Sequence, residues 1–320
     1  MSELKITVAI PTLGVSSVLS DLFFSISQQK KVTRQISVLI VLNGSTQRKY
    51  EDLMKLASRF FTDIPFRLVR IESRGASLAR NYAIDSIQTD LLFFTDDDCV
   101  LDNELVLYQH LYCHQDKSVF AVGGGYHLGQ NVGFLTKIYQ LIQMQWLYSG
   151  LKNSQTGETS FLIGGNFSIK PNLAKSYQIR FNNNIVYGGS ELEFFLKAEA
   201  SKLKMILIQT SLLHKPKISF FNLNQKIFKQ GIGKAIAVEN GYSYDEYNFE
   251  ELRNLDNQSV LDQMFLSYFS YIFWFGFFSH KKKYFAFFKF ILATLKTNRT
   301  EWVQLTYEAE QKKKYRGDRF

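Results

Sequence analysis

The chain has 320 residues, 46% of them hydrophobic, enough to bury a core larger than one small domain needs. Its formal net charge of +9 favours anionic partners such as nucleotide diphosphates, nucleic acids or acidic membrane surfaces, without choosing among them. Two cysteines, Cys99 and Cys113, exclude a disulfide-built fold, and the brief apolar run ended by Pro11 lacks the hydrophobic length of a secretory signal; a cytoplasmic protein is expected.

In chain order, apolar runs with strand character at 6–10, 36–42, 66–71 and 91–94 alternate with amphipathic stretches at 16–29, 50–61 and 77–87. This rhythm predicts a mostly parallel sheet covered by helices, with ligands at the carboxyl ends of the strands. Strands are expected next at 119–125, 160–163 and 205–208, with helices over 133–148 and 191–200, and Lys215-Pro216 closes the region. From about 222 onward the pattern is helical. The stretch 264–279 carries no charge, includes Phe269, Phe273 and Trp274, and is followed by Lys281, Lys282 and Lys283. A membrane span needs roughly 20 apolar residues, so this stretch and 284–295 are expected to lie in a membrane interface or pack as a hydrophobic hairpin. More basic residues, Lys312 to Lys314, Arg316 and Arg319, crowd the end of the chain; near an anionic leaflet each contributes about 1 kcal/mol.

Asp96, Asp97 and Asp98 directly follow the apolar run 91–94. Three adjacent carboxylates repel one another unless a cation or a set of donors compensates them. Mg²⁺ or Mn²⁺, held by one or two carboxylates together with substrate phosphates, is the simplest compensation, and a solvated acidic turn capping the next helix is the plain alternative. Asp96-x-Asp98 also matches the nucleophile loop of haloacid-dehalogenase-like phosphatases. In those enzymes, however, the loop opens the domain and a paired-aspartate motif follows later, whereas three βα-like units precede it here.

The ordered set ITVAIPT (6–12), VLNGS (41–45), GASLARN (75–81) and FTDDD (94–98) resembles the family 2 glycosyltransferases over roughly residues 5–235. The resemblance implies a GT-A fold, a nucleoside-diphosphate sugar donor, with a UDP-sugar favoured, and inversion at the anomeric carbon. It implies a catalytic domain over 1–221, with a nucleotide-binding half at about 1–125 and an acceptor half at 126–221, followed by a helical extension over 222–320. It places Pro11, Thr12 and Asn43 around the base, Arg80 on the nucleotide side, Asp96 and Asp97 at the donor, and Asp98 on the metal. Asn43 stands where the family usually has aspartate, so it offers a hydrogen bond without charge. Arg74 and Arg80 are each suited to a bidentate grip on phosphate.

YGGSELEF (187–194) resembles the family's glycine-acid-acid segment and assigns Glu191 as the catalytic base; Ser190-x-x-Glu193 reads equally as a capping box. Gly164, Gly165 and Asn166 resemble the segment that touches the donor sugar or its phosphates. His214 stands where some GT-A enzymes supply a further metal ligand, and 229–234, with its two glycines and two lysines, where the family often has a segment closing over the diphosphate. His110, Cys113 and His114 read as surface and packing residues, because no second ligand pair with zinc spacing appears. The resemblance to bacterial envelope enzymes implies a glycan or lipid-linked acceptor at the inner face of the cell membrane. Two other readings stand beside this one: a basic, aromatic nucleic-acid module, which the separation of aromatic from basic residues disfavours, so that no nucleic acid is expected as partner, and a non-catalytic nucleotide-sugar binder.

Overall fold

Strict alternation along the first strand explains the layering of the fold. The computed structural model describes residues 4–32, 35–44, 46–130, 132–185, 189–242 and 259–296. In it β1 (Ile6–Thr12) sends Ile6, Val8 and Ile10 into one core and Ala9 into the other. Period-two side-chain alternation with both faces apolar is the mark of a strand covered on both sides.

The units that follow are α1 (Ser17–Ser27), β2 (Ile36–Asn43), α2 (Gln47–Phe60), β3 (Phe66–Ile71), α3 (Ala76–Ser86) and β4 (Leu91–Phe94). Ser16 caps α1 by accepting from Leu19 N at 3.1 Å, supplying one of the donors that a helix start leaves unpaired. β3, β2, β1 and β4 lie side by side in parallel, as the βα rhythm predicts. Beyond them come β5 (Cys99–Val100), α4 (Val106–Cys113), β6 (Val119–His127), α5 (Phe134–Ser149), β7 (Leu151–Asn153), β8 (Glu158–Thr159), β9 (Phe167–Ile169), α6 (Pro171–Ser176), α7 (Ser190–Ala200) and β10 (Lys204–His214). β9 is antiparallel to both β4 and β6, while β10 runs parallel to β6, so the sheet is mixed beyond β4.

Several expectations are corrected here. The run 160–163 is not a strand: Leu162 and Ile163 are buried, one in each core, and are apolar for packing, while the ladder forms later at β9. β10 extends well past 208, through a register shift between Leu207 and Ser211, and so reaches His214. The capping box is absent: α7 starts after Gly189 with no side-chain cap, and Glu193 instead pairs with Lys197 at 2.6 Å and accepts from Asn182 at 2.8 Å.

The chain divides into two compact units, 1–220 and 221–320. The second is built from α8 (Phe220–Glu239), α9 (Val260–His280) and α10 (Tyr284–Lys296). The segment 229–234 lies inside α8 rather than in a loop. A Cβ on Gly231 would come within 1.9 Å of Phe273 O, and one on Gly276 within 2.1 Å of Phe228 O, so the glycines let the α8 and α9 backbones touch. Among the described residues no helix is long and apolar enough to cross a membrane. The basic residues at 312–319 lie outside the described residues.

Candidate active site

The carboxyl ends of the parallel strands gather the acidic turn and its neighbours. Thr12, at the end of β1, donates to Asp97 Oδ2 at 2.6 Å. Asn43, at the end of β2, is buried; its amide donates to Thr12 O at 3.2 Å and its oxygen accepts from Gly75 N at 3.2 Å. Asn43 therefore ties the β1 end to the start of α3. Pro11 is half-buried beside it in the ladder with Val41, and Arg74 is exposed against Gly44; Ser45 lies outside the described residues.

Arg80 is engaged by protein groups at the acidic turn. Only 3% exposed, its guanidinium reaches Glu191 Oε1 at 2.5 Å through one terminal nitrogen, and Asp96 Oδ1 at 2.8 Å and Gly164 O at 3.3 Å through the other. Burial works against its charge, but the two carboxylates outweigh burial and raise its pKa. For Glu191 burial pushes the pKa up, and the Arg80 guanidinium more than reverses this, leaving the carboxyl below its usual range. Asp96 moves upward: burial and the neighbouring Asp98 and Glu191 charges exceed the pull of Arg80. Asp97 is raised to about 6 by burial and by its two aspartate neighbours, against the Thr12 hydrogen bond.

Glu191 sits in the first turn of α7, behind Gly189 in the left-handed region at φ 85°, which only glycine adopts without strain. Tyr187 and Gly188 lie outside the described residues. On α3, Asn81 donates to Phe181 O at 2.9 Å and accepts from Phe181 N at 3.0 Å, pinning part of the loop that leads to α7. Gly164 and Gly165 stand against the carboxylates. A Cβ at 164 would lie 2.5 Å from Glu191 Oε1, and one at 165 2.3 Å from the Tyr126 hydroxyl and 2.9 Å from Asp96 Oδ2. Asn166 is fully buried and donates to Gly125 O at 2.8 Å, so its side chain braces β6.

β5 pairs with the end of β10, with His214 opposite Cys99, which brings His214 Nε2 to 3.5 Å from Asp98 Oδ1. Ligand atoms of Asp98, Cys99 and His214 lie within 4.8 Å of one another. Carboxylate and imidazole suit Mn²⁺ and, less well, Mg²⁺. The Cys99 thiol is a softer ligand that suits these hard cations less well, and burial first and the nearby aspartates second raise its pKa well above normal. Asp98 and His214 thus fit a divalent cation with room left for substrate oxygens. Tyr126, whose ring stacks on His214 at 4.4 Å, joins the site with no signal in the sequence pattern.

Of the three expected surface and packing residues, His110 and His114 pack in the core: both are buried and meet Ser168 Oγ, at 2.8 and 2.9 Å. Burial lowers both to about 3.

With this geometry in view, the family model described as "Glycosyl transferase family 2" matches residues 7–177, more than half of the chain. An uncharacterised glycosyltransferase of Bacillus subtilis, YfnE, is 28% identical over 122 residues, which is 38% of this chain and only 30% of that protein. Among solved structures, the mannosyltransferase PcManGT from Pyrobaculum calidifontis, in complex with GDP-Man and Mn²⁺, superposes with a TM-score of 0.61 at 15% identity over 85% of this chain and 74% of its own. S. aureus TarS in complex with UDP-GlcNAc gives a TM-score of 0.52 at 13% identity, over 84% of this chain and 72% of that one. At such identities the likeness shows a shared fold, the mixed, mostly parallel GT-A sheet.

Proposed function

Since the chain belongs to glycosyl transferase family 2, we propose that it moves a sugar from a nucleoside-diphosphate sugar to an acceptor hydroxyl with inversion at the anomeric carbon. One observation carries the reading: Arg80 holds Asp96 and Glu191 side by side against Gly164 and Gly165, next to the Asp98 and His214 pair. In this reading Glu191 is the carboxylate base and the Asp98 and His214 pair belongs to the diphosphate-holding group, the two parts a single displacement needs. The solved complexes of PcManGT with GDP-Man and Mn²⁺ and of TarS with UDP-GlcNAc support the donor class.

In this reading Glu191, held ionised, accepts the proton of the acceptor hydroxyl while that oxygen bonds to the anomeric carbon. The bond from carbon to the diphosphate breaks on the opposite face, and the nucleoside diphosphate leaves with the bonding pair. A positioned base contributes on the order of 10²- to 10⁴-fold. Asp98 and His214 would hold Mn²⁺ or Mg²⁺, which when bound supplies positive charge to the diphosphate. Pro11, Thr12 and Asn43 shape the base pocket, Asp97 is oriented by Thr12 toward the donor, and Arg74 meets phosphate from its exposed position. Gly164 and Gly165 let the Glu191 and Asp96 carboxylates come close against the backbone where the donor sugar is expected, and a UDP-sugar remains the favoured donor. The phosphatase reading loses ground because Asp96, its required nucleophile, is bound by Arg80.

The acceptor in this proposal is a growing glycan or lipid-linked saccharide at the inner face of the cell membrane. Exposed aromatics on the second unit, Tyr284, Phe285 and Phe288, stand beside Lys282 and Lys289, a composition that suits an anionic interface. The test is Glu191→Gln, which is expected to bind donor with wild-type affinity and lose turnover by at least about 100-fold. Unchanged turnover would reject Glu191 as base.

A further inference from the structure

The sequence assigns Arg80 to phosphate, yet its side chain is withdrawn from solvent and spent on protein groups. One planar fork spans two carboxylates that come from different elements. Asp96 follows β4 and Glu191 lies 111 positions beyond Arg80, in the first turn of α7. The Phe181 ring lies 5.5 Å from the guanidinium carbon, and Asn81, next in sequence, grips the backbone of Phe181. Arg80 is thus held by packing on one side and holds carboxylates on the other.

We infer that Arg80 is a positioning residue for the base: it fixes the Glu191 carboxylate in place and keeps it unprotonated until an acceptor hydroxyl arrives. The inference rests on the assignment of Glu191 as base. The charged groups facing Glu191 are Arg80 from α3 and Asp96 from the acidic turn, with the Ser190 hydroxyl 3.4 Å away on its own helix. Asp96 repels a negative Glu191, and burial disfavours it, so the guanidinium is what keeps the carboxylate ionised. A lysine would supply charge from a single point, without the planar fork that meets each carboxylate through its own nitrogen. The arrangement also explains the glycine at 164, whose carbonyl takes the remaining reach of the guanidinium and whose missing Cβ admits Glu191.

The experiment is a pH profile of kcat and donor KM for wild type, Arg80→Gln and Arg80→Lys, with thermal melts to verify folding. Arg80→Gln is expected to move the acid limb of kcat upward by about one pH unit or more, cutting kcat by about tenfold at pH values below that limb, with donor KM changed less than about threefold. Arg80→Lys is expected to keep the acid limb within about half a unit and lose about tenfold in kcat at every pH, the mark of lost orientation with charge retained. If Arg80→Gln does not fold, the lysine variant alone decides. Losses confined to donor KM, with the acid limb and kcat unmoved, would overturn the inference and return Arg80 to the nucleotide. Glu191→Gln separates the two claims: full turnover there defeats the base assignment itself, whereas an inactive Glu191→Gln beside an unperturbed Arg80 series defeats only the positioning role.

Discussion

Gly165 has no room for even one methyl group, since a Cβ there would press on both the Tyr126 hydroxyl and Asp96. Gly165→Ala is therefore expected to displace Asp96 and lower kcat/KM by at least about tenfold while the melting temperature stays within a few degrees; steady-state kinetics with a donor titration verify this. Asp98→Ala is expected to abolish the Mn²⁺ dependence of donor binding, and His214→Gln to weaken it, both read by calorimetry with and without metal. Residues of this kind were legible in the sequence to differing depths. Asp96, Asp98 and Glu191 stood out as candidates because acids after an apolar strand end or a glycine pair can serve a metal or a proton transfer as well as a helix cap. Arg80 was legible as important but not in its target, because spacing along α3 says nothing of a partner 111 positions away. The burial of Asn166 was hidden for the related reason that a polar residue after two glycines looks exposed until β6 is seen to cover it.

At the scale of elements, α4 meets β9 through two buried histidines that share the Ser168 hydroxyl. Folded, both titrate near 3; unfolded, near 6.5. Below 6.5 the unfolded chain takes up protons that the native chain refuses, so stability present at neutral pH drains away as pH falls toward 3, by about 1.4 kcal/mol per pH unit for each histidine. Urea unfolding at several pH values should show this slope, and His110→Gln with His114→Gln should flatten it; an equal slope in both proteins would remove the explanation. In the second unit, Gly231→Val is expected to separate α8 from α9 and lower its melting temperature, since the added atoms meet the Phe273 carbonyl. The parallel half of the sheet was readable because each strand and helix there keeps one hydrophobic period. Beyond β4 the period fails as a guide: Leu162 and Ile163 are apolar to fill two cores without joining a ladder, and the three-residue β9 is too short to announce itself.

For the molecule as a whole, the second unit was visible in composition, as an uncharged aromatic run beside lysines, and what it touches was not. The exposed Lys282 and Lys289 beside aromatics such as Phe285, 74% exposed, predict salt-sensitive sedimentation with vesicles rich in anionic lipid, and little with neutral ones. Binding equal for both lipid types would remove the electrostatic part of that proposal. The division into a sheet unit and a helical unit lets the two properties be tested apart, membrane contact by vesicles and chemistry by donor binding. The central claim is that the acidic turn of the first unit receives a nucleoside-diphosphate sugar with the help of a divalent cation. Its most direct test is a calorimetric titration of the full chain with a panel of nucleotide sugars, with and without Mn²⁺. The account predicts that at least one donor binds only with metal and that Asp98→Ala loses that binding; tight binding indifferent to both Mn²⁺ and Asp98 would contradict it.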